Sequence, residues 1–297
     1  MDKVVKWDKF EFQLKDFNSA HANGGRLEKF WVVDRLSNRQ FLIKANTFLG
    51  YESISEKIAY IIGKNLGLDV LWYDIVPAKV FEPLIGKQLF SKYYSICEKI
   101  DRRECYITSV AEVKRARNVV RDKNDYSITN KEVMNELIPK SNLDKMILFD
   151  AIIGNKDRHY GNVHLLRKMD GTFITAPLLD NGASLLAITS FYKFWLPLGF
   201  YSLNEKENEA SMTYNNHDEQ ITVVSTMKHV SFNIPVITIK ILNDIEPTLQ
   251  LISKRRAERI RRYIVYRLHK YLGYIKYQSR SHIYNREMST PNEKEHT

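Results

Sequence analysis

Residues 154–162, with the sequence Gly-Asn-Lys-Asp-Arg-His-Tyr-Gly-Asn, place many polar groups directly after an apolar stretch that has the pattern of a buried helix. Within this segment, Asp157 and Asn162 have the spacing D-x-x-x-x-N. In loops that catalyse phosphoryl transfer, an aspartate at the first position orients the acceptor hydroxyl and an asparagine at the second holds a metal ion. The alternative is a polar turn that ends a helix and begins a strand. His159 is interpreted as a residue that shapes this loop rather than as a metal ligand or base.

A second acidic residue, Asp180, lies in the sequence Leu-Leu-Asp-Asn-Gly, eighteen residues after Asn162. It follows a run that resembles a strand and precedes a tight turn, where an Asx-turn role is the alternative. Phosphoryl transfer requires a metal ion that bridges the phosphates, and hard oxygen ligands from separate segments hold such an ion. Asn162 and Asp180 together therefore predict a metal site.

Lys44 is the cation within the apolar run 40–45. A buried ammonium group is costly unless an anion neutralises it, and the alternative is a charge on an edge strand that faces water. Glu56 follows twelve residues later, in the first turn of the next predicted helix. This arrangement predicts the lysine and glutamate pair that positions ATP phosphates. Gly24 and Gly25 precede the first strand of a predicted hairpin, where a loop that covers phosphates would lie.

The elements that must position these residues fall into two groups. Residues 1–100 alternate strand patterns and turns around one helix, and we expect an N-terminal lobe that contains the glycine pair and Lys44. The predicted elements of this lobe are strands 30–34 and 40–45 joined by a turn, a helix at 53–66 with Gly67 as its C-cap, and strand patterns at 70–80 and 87–94.

Residues 101–278 have a mainly helical pattern, and we expect a second lobe that carries the polar loop and Asp180. The predicted elements are helices at 107–122, 130–137, 142–153 with Ser141 or Asn142 as N-cap, 237–245 and 253–277, strands at 163–166 and 173–178, and a loop at 200–220. The remaining residues, 279–297, are mostly polar and predict a disordered tail.

Five stretches of the chain, in matching order, resemble the HipA-like bacterial serine/threonine kinases. In length, the chain is most similar to the short, cell-translocating kinase A type of that family. The similarity extends from about residue 10 to about residue 190, and the loop GNxDRHxGN is its most specific part. The stretches are GGRLEKFWV, FLIKA, ISEKIAYIIGKNLGL, IIGNKDRHYGNVHLL and APLLDNGASL.

This resemblance implies an α+β, two-lobed protein-kinase-like fold, with a β-rich N-terminal lobe and a mainly helical C-terminal lobe. It implies ATP and Mg²⁺ as cofactors and a protein with a serine or threonine acceptor as the substrate. The site residues that it implies are Asp157 for catalysis, Asn162 and Asp180 for the metal, and Lys44, Glu56, Gly24 and Gly25 for ATP.

The resemblance also brings autophosphorylation, a toxin or effector role and an antitoxin or other regulatory partner into consideration. Related toxin kinases autophosphorylate a serine near the position of Ser19, which we interpret here as an ordinary loop serine. The longer HipA toxins have an additional N-terminal subdomain for which this chain has no room. An antitoxin arrangement therefore does not transfer directly from them.

Two alternatives to a protein kinase stay open. The sequence Asp180-Asn181-Gly182 has asparagine where many kinases have an aromatic residue, and it is similar to that of some phosphatidylinositol kinases. A lipid or small-molecule phosphotransferase is therefore the alternative enzyme. A degenerate nucleotide-binding or scaffold protein is the third hypothesis, and the presence of suitable residues at all five catalytic positions disfavours it.

The 297 residues include 45 Lys+Arg and 35 Asp+Glu, which gives a net charge of +10. The last 47 residues contain 12 basic and 4 acidic side chains, so most of the excess lies near the C-terminus. A nucleic-acid site would need arginines on one helix face together with aromatic side chains. The predicted helix 254–276 is instead interpreted as a core helix with a solvated basic face. We expect no direct nucleic-acid partner, and docking of an acidic partner is the alternative for this face.

The composition limits the class of protein. A hydrophobic content of 44% is sufficient for a folded core. The apolar runs are far shorter than the roughly 18 residues that span a bilayer, and the N-terminus has no pattern of a secretory signal. The sequence thus predicts a cytoplasmic protein with no membrane span. The resemblance implies that the cell is bacterial, and it leaves delivery to another cell open as an alternative. Cys97 and Cys105 are interpreted as buried or incidental thiols.

Overall fold

The computed structural model describes residues 4–16, 29–46, 51–86, 91–100, 105–120, 129–187, 216–227 and 232–288. Its first part consists of strands and two helices: β1 (Val4–Trp7), β2 (Phe10–Asp16), β3 (Lys29–Asp34), β4 (Gln40–Lys44), α1 (Glu52–Asn65), β5 (Tyr73–Pro77), α2 (Glu82–Ile85) and β6 (Tyr93–Glu98). The strands form one antiparallel sheet in the order β1-β2-β3-β4-β6-β5. Gly24, Gly25 and Ser19 lie outside the described residues.

The predicted hairpin is present as β3 and β4. Alternate side chains of the hairpin point to opposite faces of the sheet. Phe30, Phe41 and Ile43 are fully buried on one face, in an apolar cluster to which α2 also contributes. Leu42 and Lys44 alternate with Phe41 and Ile43 along β4, so they point to the other face. The pattern of the hairpin therefore sets the direction of Lys44.

Helix α1 follows this hairpin and confirms the predicted helix to within one residue at each end. Its end is fixed by Gly67, which has a φ of +68°. The Gly67 amide donates to the carbonyl of Lys64 at 3.1 Å, and the Leu68 amide donates to the carbonyl of Gly63 at 2.9 Å. These two bonds are a Schellman motif, in which a left-handed residue is usually glycine.

The second part consists of the three-stranded antiparallel sheet β7 (Cys105–Ser109), β8 (His164–Lys168) and β9 (Phe173–Thr175), with the helices α3 (Val110–Val120), α4 (Asn130–Leu137), α5 (Lys140–Ile153), α6 (His217–Ile221), α7 (Ile234–Leu249) and α8 (Lys254–Met288). The main apolar core lies where α1 meets α5, α7 and α8, and it includes Ile58, Phe149, Ile241 and Ile264. Within the described ranges, the structure contains no helix with the length and apolar character that a bilayer crossing requires.

Several strands differ from the predictions. Strands β1 and β2 were not predicted, and β5 and β9 are shorter than the strands predicted at 70–80 and 173–178. The strand predicted at 87–94 is β6, at Tyr93–Glu98, and residues 87–90 lie outside the described residues. The inner residues of β6 are buried in succession, so this strand lacks the alternation that reveals a half-buried strand. The helix predicted from residue 107 begins at Val110, because residues 105–109 form β7 and pair with β8.

The helices also differ in their limits. Helix α5 begins at Lys140 with Pro139 in the N-cap position, so the predicted caps Ser141 and Asn142 lie within the helix. Helix α8 continues to Met288, into the segment 279–297 that was predicted to be a tail. Of the predicted loop 200–220, only residues 216–220 are described, and most of these belong to α6.

Candidate active site

Lys44 lies next to Glu56 because α1 packs against the sheet. Lys44 is the last residue of β4, and its Nζ lies 3.3 Å from Oε1 of Glu56. Both side chains are buried. Burial raises the pKa of Glu56, and the attraction of Lys44 opposes this effect. The buried ammonium group is therefore neutralised by the residue that the sequence pattern suggested.

The Lys44 ammonium group has two further partners. Its Nζ donates to Oδ1 of Asp180 at 3.0 Å and to the hydroxyl of Tyr73 at 3.2 Å. Burial lowers the pKa of Lys44, but the attraction of Asp180, Tyr73 and Glu56 outweighs this and raises the pKa well above its usual value. Lys44 is thus protonated at neutral pH. Tyr73 was not predicted as a residue of the site, because an aromatic residue in a strand usually belongs to an apolar core.

Asp180 lies in the left-handed region, with a φ of +59°. This conformation is uncommon for a residue other than glycine, and hydrogen bonds on both sides hold it here. The Asp180 amide donates to the Tyr73 hydroxyl at 3.3 Å, and the Asn181 amide donates to Oε2 of Glu56 at 2.9 Å. Glu56 therefore binds Lys44 with one oxygen and the Asp180-Asn181 turn with the other.

The attraction of Lys44 holds the pKa of Asp180 below its usual range, against the opposing effect of burial. Lys29 contributes in the same direction. Lys29 is directly opposite Lys44 in the pairing of β3 with β4, so two lysines flank this carboxylate. Asp180 is consequently an ionised carboxylate at neutral pH, as a metal ligand must be.

The strand-like segment before Asp180 is fastened to the first part of the chain. The Leu178 amide donates to the carbonyl of Asp69 at 2.8 Å, and the Leu71 amide donates to the carbonyl of Leu178 at 2.9 Å. A parallel bridge joins Val70 to Leu178. The residues that carry the second predicted metal ligand are therefore attached to the connection between α1 and β5.

Arg158 joins the polar loop to this segment from the other side. Its guanidinium group is buried, and it forms a close ion pair with the buried Asp150 of α5. Nη1 donates to the carbonyls of Asn162 at 3.1 Å and Leu179 at 2.7 Å, and Nη2 donates to Oδ1 of Asn181 at 2.6 Å. One side chain thus fixes both segments. The signal in the sequence was a basic residue next to Asp157, at the end of a buried helix.

Asp157 is held by short-range hydrogen bonds. Its amide donates to Oδ1 of Asn155 at 3.0 Å, and Nδ2 of Asn162 donates to its carbonyl at 2.8 Å and to its Oδ2 at 3.2 Å. The Asp157 side chain remains 56% exposed, so its carboxylate is open to solvent. His159 accepts a hydrogen bond at Nδ1 from the Gly161 amide at 3.0 Å, which gives it the loop-shaping contact expected above.

The loop begins at a position that strongly favours glycine. Gly154 caps α5 with a φ of +63°. A Cβ atom added there would lie 1.8 Å from the hydroxyl oxygen of Tyr263 in α8. The close packing of α8 against the end of α5 therefore fixes where the loop leaves the helix.

Asn162 and Asp180 suit a divalent metal. The amide nitrogen of Asn162 faces Asp157, which leaves its amide oxygen for a cation. Among the described residues there is no group of three or more His, Cys, Asp or Glu side chains that could enclose a metal by themselves. An amide oxygen and a carboxylate oxygen from separate segments fit Mg²⁺, which proteins commonly bind through one or two side chains together with substrate phosphates.

Neither the protein-family models nor the sequences of curated proteins match this chain. Solved structures do. The proinflammatory kinase CtkA of Helicobacter pylori superposes with a TM-score of 0.59 at 15% identity, over 93% of this chain and 99% of CtkA. The toxin HipA of Shewanella oneidensis, solved with HipB and operator DNA, superposes with a TM-score of 0.50 at 15% identity, over 87% of this chain and 66% of HipA. The chain therefore has the α+β, two-lobed fold of the protein kinases, with a β-rich N-terminal lobe and a mainly helical C-terminal lobe.

Proposed function

We propose that this protein is an ATP- and Mg²⁺-dependent protein kinase that phosphorylates serine or threonine. The observation that supports the proposal best is the convergence on Asp180. This residue contacts Lys44, which in turn contacts Glu56, and the turn that follows Asp180 is bound to Arg158 beside the loop of Asp157 and Asn162. Five residues with the chemical types that phosphoryl transfer needs are therefore connected through hydrogen bonds.

In the proposed reaction, the oxygen of a serine or threonine hydroxyl forms a bond to the γ-phosphorus of ATP. The bond from that phosphorus to the β,γ-bridging oxygen breaks, and ADP leaves with its electron pair. Asp157 orients the hydroxyl and accepts its proton. Its exposed carboxylate suits an acceptor that arrives from solvent.

The other residues bind and orient the phosphates. Lys44 binds nonreacting phosphate oxygens, and Glu56 keeps its ammonium group in place. Asn162 and Asp180 would hold Mg²⁺, which supplies charge neutralisation on the phosphate oxygens when it is bound. Gly24 and Gly25 are proposed to form the loop above the phosphates. Lys29, which sequence reasoning missed, adds a cation beside Asp180.

The departure at Asn181 has a structural explanation that does not depend on a lipid substrate. Its side chain is buried and accepts a hydrogen bond from Arg158, so the residue serves to join the two loops. The lipid or small-molecule phosphotransferase is accordingly an outcome of the test rather than a second proposal. A regulatory protein partner is also part of the proposal, because the HipA structure contains HipB. A toxin or effector role and autophosphorylation are further parts of the proposal, and the phosphosite mapping below tests the second of them.

The decisive experiment compares wild type with Asp157→Asn in the presence of ATP and Mg²⁺. We offer a bacterial cell extract, the protein itself and phosphoinositide vesicles as separate acceptors, and we map phosphorylated residues by mass spectrometry. Loss of the general base should reduce transfer by about 10²- to 10⁴-fold. Asp170→Asn, which changes an exposed aspartate in the turn between β8 and β9, is the matched control and should retain wild-type activity.

The acceptor identifies the class of enzyme. Phosphoserine or phosphothreonine that depends on Asp157 supports the protein kinase, and phosphorylation of the vesicles alone replaces it with a lipid kinase. If wild type labels no acceptor, or if Asp157→Asn labels it equally well, the proposal is wrong. Thermal stabilisation by Mg²⁺ and ATP without transfer would then favour the nucleotide-binding scaffold.

A further inference from the structure

Tyr73 in β5 is a buried polar group at the centre of the candidate site. Its side chain is 1% exposed, and its hydroxyl accepts hydrogen bonds from Nζ of Lys44 at 3.2 Å and from the amide of Asp180 at 3.3 Å. Lys44 also lies over the aromatic ring, with Nζ 5.2 Å from the ring centroid. One hydroxyl therefore contacts the phosphate-binding lysine and the backbone of the metal-binding aspartate.

The three partners of Lys44 account for its donor capacity. An ammonium group has three N–H donors, and Glu56, Asp180 and Tyr73 supply one acceptor each. A phosphate oxygen can accept a hydrogen bond from Lys44 only when one of these partners gives up its place.

Exposure distinguishes the partner that can leave. Glu56 is 2% exposed and Tyr73 is 1% exposed, whereas the Asp180 side chain is 38% exposed. A metal ion attracts the Asp180 carboxylate, since carboxylate oxygens are the preferred ligands of Mg²⁺. The exchange on nucleotide binding is therefore expected at Asp180, while Glu56 and Tyr73 keep their bonds.

We infer that Tyr73 is a positioning residue for the proposed phosphoryl transfer. Its hydroxyl fixes one of the three directions of the Lys44 ammonium group, and Glu56 fixes another. When the Asp180 carboxylate turns to the metal, the N–H group of Lys44 that pointed to it becomes free. This N–H group is then the one that can bind the phosphates. Because the same hydroxyl accepts the Asp180 amide, the backbone of the metal ligand stays in place while its carboxylate moves. This inference rests on the proposed function.

The test is Tyr73→Phe, which removes the hydroxyl and keeps the ring. Tyr94→Phe is the matched control, because Tyr94 is also 1% exposed and lies on the neighbouring strand β6. We expect Tyr73→Phe to speed hydrogen exchange at the Asp180 amide by about tenfold or more and to lower kcat by about tenfold, because a hydrogen bond to a charged group is lost. Tyr94→Phe should change neither quantity.

Nucleotide affinity provides a separate measurement of the role of Tyr73. Calorimetry with Mg²⁺ and a non-hydrolysable ATP analogue should show weaker binding in Tyr73→Phe, by about threefold to tenfold, because Lys44 is aimed less well. In wild type, the same ligand should leave the Asp180 amide protected from exchange. This last measurement needs no variant and stays informative if Tyr73→Phe folds poorly.

Wild-type exchange at the Asp180 amide in Tyr73→Phe, or loss of protection in wild type when the analogue binds, overturns the inference. Equal changes in kcat for Tyr73→Phe and Tyr94→Phe do the same, since they would indicate a general packing effect. If wild type binds the analogue but transfers no phosphate, the proposed function fails, and the exchange and affinity data still decide the role of Tyr73.

Discussion

The two halves of the candidate site differ in how their charges are balanced. On the sheet side, Lys44 and Glu56 are buried, and each has its bonds within the protein. On the loop side, Asp157 is half exposed and is oriented by the amide of Asn162. A buried charge is costly unless a protein group neutralises it, so it must be paired even without a ligand. An exposed charge is solvated by water and needs no such partner before substrate binds. The comparison predicts that buried groups dominate stability and that exposed groups dominate chemistry.

The largest loss of stability is expected for Arg158→Met. This change leaves the carboxylate of Asp150 buried without its partner and removes the bonds to both loops. We expect the free energy of unfolding to fall by about 3–5 kcal/mol. Chemical denaturation measures this, and Arg262→Met is the control, since Arg262 forms an exposed pair with Glu258 and should lose no more than about 0.5 kcal/mol. Similar losses in both variants would contradict the comparison.

Gly154→Ala should have the next largest effect. The added methyl group meets the Tyr263 hydroxyl, and alanine is strained at a φ of +63°. We expect the free energy of unfolding to fall by about 2–4 kcal/mol. The double variant with Tyr263→Phe should recover part of this loss by removing the overlapping oxygen. If the second change gives no recovery, contact with Tyr263 is not the cause.

A smaller, pH-dependent effect is expected at Asp180, which is partly exposed. Its pKa in the folded protein lies below the ordinary value of 3.8, mainly because of Lys44. At pH values above 3.8 the ionised carboxylate therefore stabilises the fold. Its contribution disappears as the pH falls through the folded-state pKa. The difference in the free energy of unfolding between wild type and Asp180→Asn should be constant from pH 7 to about pH 5 and should shrink in stronger acid. A difference that grows in acid would reverse the assigned sign.

The smallest change in stability is expected for Asp157→Asn. Because the carboxylate is exposed, its replacement should alter the free energy of unfolding by less than about 0.5 kcal/mol. The same variant is proposed to lose nearly all phosphate transfer. Denaturation and transfer assays on one preparation separate these two quantities. A loss of stability as large as that of Gly154→Ala would contradict the comparison, because an exposed group would then contribute to stability as much as a buried one.

Local sequence patterns were sufficient for the hairpin of β3 and β4 and for α1, because both have a clear apolar periodicity and clear ends. They were insufficient for β6, which is buried on both faces, and for β7, whose pairing with β8 depends on residues far along the chain. The order of the elements that carry the site and the hairpin of β3 and β4 could thus be predicted, but the pairings between strands that are distant in the sequence could not.

The same limit applies to the site. Lys44, Glu56, Asp157, Asn162 and Asp180 were predicted from spacing. The structure joins Lys44 directly to Glu56 and Asp180, and Arg158 links this group to Asn162 and Asp157. Tyr73, Asp150 and Lys29 were missed. A tyrosine in a strand, an acid in an apolar helix and a lysine at the start of a strand have no local pattern that distinguishes a residue of the candidate site. Their roles depend on which elements pack together.

The attachment of residues 178–181 on both sides has a mechanical consequence. One side is bonded to residues 69–71, Tyr73 and Glu56, and the other side is bonded to Arg158. A hinge at this point would have to break both sets of bonds at once, and hinges normally lie at positions with few such bonds. Residues 178–181 should therefore move as one rigid unit with the partners on both sides. If the chain binds nucleotide as proposed, we expect the movement that admits and releases it away from this segment, toward β1 at the far edge of the N-terminal sheet.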